Sequence, residues 1–131
     1  MSYHSRIQNN AREIVSLHQR LHEAFAHRDD NAQSHARWEE ACAEFHRRYE
    51  LLAFPGGPRN ARDLLRAGDQ EAIEYALAFL EVRPYFFRSG YMYKDFIRVL
   101  RNCPLSTSQR SRYEQLREAY QQYRTLRRTK R

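Results

Sequence analysis

The chain has 131 residues, of which 41% are hydrophobic and 13% aromatic, enough for one domain with a core of its own and no need of staples. Its net charge is +7, from 23 Lys and Arg against 16 Asp and Glu, an excess that directs attention to anionic partners. No apolar run approaches the roughly 20 residues that span a bilayer, the N-terminus lacks the pattern of a signal peptide, and Cys42 and Cys103 lie far apart without CxxC spacing, so a membrane span and a disulfide scaffold are excluded and the cytoplasm is the expected compartment.

Apolar spacing predicts a first helix from Ser5 to Ala26, with Ile7, Ile14, Leu17, Leu21 and Phe25 on one face. The polar cluster at 27–31 ends it. Asn31 or an adjacent Asp then caps a second helix over 32–53, whose stripe is Trp38, Cys42, Phe45, Tyr49 and Leu52. So short a link predicts an antiparallel hairpin, with Trp38 facing the first helix and His18 near Cys42. Phe54-Pro55-Gly56-Gly57-Pro58 is the strongest breaker in the chain and divides an N-terminal hairpin, 1–53, from a C-terminal helical part, 59–128. A short helix over 60–67, with Leu64 and Leu65 inward, stops at Gly68, and Asp69 caps a helix through Val82. There Ile73, Leu77 and Leu80 are joined by Ala72, Ala76, Ala78 and Phe79, so more than one face is apolar and the helix belongs at the centre.

Pro84 has no N–H to donate and biases Arg83 away from helical backbone, which ends that helix. Ser89 as N-cap and Gly90 in a positive-φ turn are expected to open the next one, over about 91–102, while Phe86 and Phe87 plug the connection into the core. After Asn102-Cys103-Pro104, Ser106 and Gln109 form a capping box that starts a last helix reaching Arg127. Its Tyr113, Leu116, Tyr120 and Tyr123 are spaced 3, 4, 3, as on a coiled-coil seam. These elements make an all-α protein, a compact and mostly antiparallel bundle of about six helices in a single domain, 1–131, with α-solenoid-like stacking as the alternative.

Catalytic chemistry finds few footholds. His18 and His22 are four apart on one helix, as Cys42 and His46 are on the next, and four such ligands would suit zinc. Both pairs would have to rotate into one seam, however, and Cys42 lies on the core stripe while the histidines lie on flanks, so no metal or other cofactor is expected. Gly56-Gly57 sits between prolines without the Lys and Ser/Thr of a phosphate loop, Glu39 and Glu40 are adjacent and point apart, and no nucleophile elbow occurs. A non-enzymatic binding module is the reading that remains.

Charge is polarised along the chain. Residues 1–82 carry ten Arg against 13 acids and residues 83–131 carry 13 cations against three acids, balances of −3 and +10. Because 21 of the 23 cations are Arg, a bias that GC-rich coding also produces, the change of sign says more than the composition does. Lys94, Arg98 and Arg101 lie at i, i+4 and i+7, one stripe able to follow phosphates, and Arg88, Arg124, Arg127 and Arg128 extend it. Arg110, Arg112, Arg117, Lys130 and Arg131 add to the same excess. Tyr91 and Tyr93, where exposed, would stack on unpaired bases. Nucleic acid, RNA or DNA, is therefore the expected partner. An acidic protein or a second copy of the chain is the alternative, with Tyr113, Tyr120 and Tyr123 as a self-association seam, since Tyr and Arg are both frequent at interface hot spots.

Overall fold

The computed structural model describes residues 2–129 and folds them into six α-helices: α1 (Tyr3–Ala26), α2 (Ala32–Ala53), α3 (Ala61–Arg66), α4 (Gln70–Val82), α5 (Ser89–Leu100) and α6 (Thr107–Thr129). A 3-10 turn spans Pro58–Asn60, and no strand occurs among the described residues. α4 starts where Asp69 Oδ1 accepts the Ala72 N–H at 2.9 Å. Eight of its 13 residues are buried, on more than one face, so it has to be covered from several sides. Helices α1, α3, α5 and α6 supply that cover, and the expected all-α bundle with α4 at its centre is what the chain forms.

α1 and α2 lie antiparallel. Phe25 meets Trp38 near the turn, His18 meets Phe45 halfway along, and Asn10 Nδ2 donates to the Leu52 carbonyl at the far end. Ser2 and Asn31 cap the two helices, accepting from the Ser5 and Ser34 N–H groups at 3.1 and 2.8 Å. The expected register, with Cys42 opposite His18, is corrected by three residues to Phe45. Side chains lean toward the N-terminus of their own helix, so those of α1 lean away from the turn and those of α2 toward it, which brings a later residue of α2 opposite.

The breaker at 54–58 is a packed corner. Phe54 is 0% exposed, its ring 5.2 Å from Tyr75 and 5.3 Å from Phe96, and one hydrophobic cluster holds residues from both sides of the segment. Gly56 and Gly57 turn the chain at φ 81° and 90°, where an L side chain is strained.

Between α4 and α5 the backbone departs from expectation. Arg83 ends α4 in the left-handed region, φ 51° and ψ 63°, while its N–H donates to the Phe79 carbonyl at 2.8 Å. Glycine is the usual residue there, and a side chain costs about 1 kcal/mol. Arg88, at φ 68°, makes the turn that Gly90 was expected to make, so α5 begins at Ser89 and Gly90 sits in ordinary helical backbone. Ser89 is thereby the first helical residue and no cap of α5; its Oγ accepts the Phe86 N–H at 3.0 Å. Phe86 is buried as a plug. Phe87 keeps 42% of its surface exposed, yet stacks on His18 at 5.1 Å and lies against Phe45 and Tyr49, pinning the connection to the hairpin.

α6 opens with the expected reciprocal pair, Ser106 Oγ accepting the Gln109 N–H at 3.1 Å and Gln109 Oε1 accepting the Ser106 N–H at 2.9 Å. No described helix is long and apolar enough to cross a membrane. Because Phe54 joins the corner to both α4 and α5, Phe54→Ala is expected to destabilise the fold by about 3–5 kcal/mol, read in urea unfolding as a lower midpoint at an unchanged slope.

Candidate functional site

Where the acids lie decides which cations of the C-terminal half stay available. Arg112 of α6 forks across α4, donating to Glu74 at 2.6 Å and to Glu81 at 2.7 Å. Gln109 Nε2 adds bonds to Gln70 and Glu74, both 3.1 Å, and His4 Nε2 lies 3.0 Å from Glu81. The hydrogen bond from Arg112 holds the Glu74 carboxyl below its ordinary range. Burial pushes the Glu81 carboxyl up, but hydrogen bonds from Arg112 and His4 outweigh it and leave that group below its ordinary range as well. Arg110 donates to the carbonyls of Arg101 and Cys103, at 3.1 and 3.0 Å, and closes the end of α5. Arg117 pairs with Glu114 at 3.0 Å, and Asp95 turns away to Arg62. Arg110, Arg112 and Arg117 are thus occupied within the fold and drop out of the expected anion-binding set.

Past Tyr120 α6 leaves the bundle, and every described residue from Gln121 to Thr129 is exposed. Between this extension and α5 lies an open groove of about 950 Å³. One wall is Tyr93, Lys94, Ile97 and Arg98 of α5; the other is Tyr120, Tyr123, Arg124, Arg127 and Arg128 of α6. The Arg83-Pro84-Tyr85 turn, Ser89 and Gly90 complete the lining, in which no carboxylate takes part. Among the described residues Lys94, Arg98, Arg127 and Arg128 have no ion-pair partner. The Arg83 guanidinium lies 5.0 Å from the Tyr93 ring centre and 4.6 Å from that of Tyr123, and Arg124 lies 5.9 Å from that of Tyr120. Cations that share a concavity without an acid focus a positive potential into it.

The groove gathers Tyr93, Lys94, Arg98, Arg124, Arg127 and Arg128 from the expected anion-binding set, together with Tyr120 and Tyr123 from the expected seam. Three others fall outside it. Arg101 is at the end of α5, beyond the wall formed by Lys94 and Arg98, so the i, i+4, i+7 stripe is cut to two residues. Arg88 reaches over the Phe87 ring at 5.2 Å, and Tyr91 is 77% exposed elsewhere on α5. Tyr93 is only 8% exposed and packs at 5.3 Å against Tyr120, so it cannot offer its face to a base; burial pushes its hydroxyl up, with Arg83 pulling back in part. Tyr113 is 1% exposed and donates to the Ile97 carbonyl, which removes it from any self-association surface. Lys130 and Arg131 lie outside the described residues.

His18, His22, Cys42 and His46 do not converge. His18 packs against His22 at 4.5 Å and stacks on Phe87; burial, then the neighbouring His22, lowers its pKa. No group of three or more His, Cys, Asp or Glu able to hold a metal occurs among the described residues. Both cysteines are free thiols, and Cys103 donates to the Val99 carbonyl at 3.1 Å.

Arg83, Pro84, Tyr85, Ser89, Gly90 and Ile97 are the lining residues that sequence reasoning missed as site residues. Pro84 and the glycine mark a turn there, but nothing in the pattern brings that turn against the far end of α6. Compared with models of known protein families, with curated proteins and with solved structures, the chain matches none.

The Glu74–Arg112–Glu81 fork holds the α6 wall against α4. Both carboxyls bind protons less readily folded than unfolded, so the stability they contribute is present above the ordinary carboxylate range and is lost as pH falls through the depressed one. Arg112→Met should therefore lower the melting temperature at neutral pH and shrink the further loss on acidification, as thermal melts across that range will show.

Proposed function

We propose that the groove between α5 and α6 binds single-stranded nucleic acid and that the protein is a non-enzymatic binding module. The observation that carries this reading is the lining: six cations and four tyrosines with no carboxylate among them. A duplex is read by a convex element that enters its groove. Here the cations face into a concavity instead, which suits a strand able to bend into it. Tyr85, 92% exposed at the margin, offers a ring on which a base can stack, a contact worth about 1–3 kcal/mol per base. Lys94, Arg98, Arg127 and Arg128 are positioned to follow the phosphates, and the two free thiols accord with action in the cytoplasm.

One observation favours a second reading, an adapter for an acidic protein or a self-associating module. The free end of α6 exposes Leu126 at 63% and Tyr123 at 41%, the latter met only by Arg83 among the described contacts, an apolar strip that a partner could cover. Its mark would be an oligomeric mass, or a captured acidic partner, that changes on Leu126→Glu.

Fluorescence anisotropy with labelled single- and double-stranded RNA and DNA over a salt series tests the first reading. Single strands should bind more tightly, with log K falling against log salt by about 0.7 per phosphate neutralised. Arg98→Glu with Arg124→Glu should weaken binding more than tenfold and flatten the salt slope. Arg37→Glu with Arg101→Glu, the same change of charge outside the groove, should weaken it far less; equal losses from the two pairs would sink the groove as the site.

A further inference from the structure

We infer that the bound strand is held at one fixed point, where a single phosphodiester sits between the Arg83 guanidinium and the bare backbone of Gly90; this rests on the groove being a polyanion site. Both residues line the groove, and neither is the residue its backbone favours. Arg83 occupies a left-handed position, φ 51°, where glycine is the least strained choice. An arginine there is explained by its side chain. The guanidinium lies within cation–π distance of the rings of Tyr93 and Tyr123, and its N–H donors have no carboxylate to receive them among the described residues. A guanidinium held between two rings is a preformed fork, and two oxygens of one phosphate match it.

Gly90 is the converse case. Its backbone is helical, with no positive φ, and a Cβ built on it would meet nothing within 4 Å. Neither the turn nor the packing requires a glycine, and glycine weakens a helix relative to alanine. Gly90 lines the same groove as Arg83, and an absent side chain there lets a ligand's backbone come against the protein's own.

The test uses the full chain and a fluorescein-labelled single-stranded oligonucleotide. Arg83→Lys keeps the charge and loses the fork, so affinity should fall about tenfold while the salt slope stays that of the parent. Gly90→Ala changes no charge, and should also weaken binding about tenfold at an unchanged slope, while its melting temperature equals or exceeds that of the parent. Acting on one phosphate, the two changes combined should cost less than the product of their separate effects. Either variant binding like the parent overturns the fixed point, as does a lower melting temperature for Gly90→Ala, which would give that glycine a structural role. Absence of salt-dependent binding by the parent overturns the polyanion reading itself. Binding that survives in Arg83→Lys and Gly90→Ala but is lost in Arg98→Glu with Arg124→Glu overturns the fixed point alone.

Discussion

A helix that is apolar on nearly every face cannot rest on a single partner, and the arrangement of this chain follows from the burial of α4. Its eight buried residues need α1, α3, α5 and α6 around them, and the corner at Phe54 brings the hairpin back onto the same helix. What is left of α4 for polar contacts is a narrow rim. Glu71 on it reaches Arg6 of α1, while Glu74 and Glu81 both reach Arg112 of α6. The rim thus fixes where the first half of α6 can lie, which in turn sets the angle at which its second half leaves the bundle.

The groove is a consequence of that geometry and of how the charges are shared out. In the N-terminal part acids find local cations, as in Glu13 with Arg48 and Glu50 with Arg59. In the C-terminal part Asp95 is drawn off to Arg62 and Glu114 to Arg117, so α5 and the end of α6 face one another with cations only. Unmatched like charges around one concavity repel. The helical end of α6 beyond Tyr120 is exposed throughout and is tied back only where Arg83 lies over Tyr123 among the contacts of the described residues, and isolated helical turns are marginal in water. A polyanion between the walls would relieve the repulsion and bridge the free helix to α5, two gains from one contact.

Most of the fold was legible in the chain, since it rests on local signals of known strength. Asn31, Asp69 and the Ser106–Gln109 box mark helix starts with side chains that satisfy orphan N–H groups, and all three do so as read. The all-round apolar pattern of residues 72–80 placed α4 at the centre for the same reason, that burial must match composition. The site was legible only in part. Helical period puts Lys94 and Arg98 on one face, but whether Arg101 joins them depends on where α5 meets α6, and whether Tyr93 or Tyr113 is exposed depends on what packs over it. Those are tertiary facts. The start of α5 was misplaced for a different reason: Gly90 is the residue that tolerates positive φ, and Arg88 adopts it instead.

That misplacement points to where the chain departs from its own local rules. Arginine stands at both left-handed positions, 83 and 88; Gly90 stands in a helix that does not need it; Tyr85 is 92% exposed and Phe87 42% exposed. All five fall within eight consecutive residues, whereas the caps of α2, α4 and α6 agree with the helices they start. Departures from propensity, capping and burial that fall together in one short turn are where requirements other than folding are expected to lie. Pinned to the hairpin through Phe87 and to α6 through Arg83, the turn is held by both halves of the bundle, which is what a rigid contact point for a flexible ligand requires.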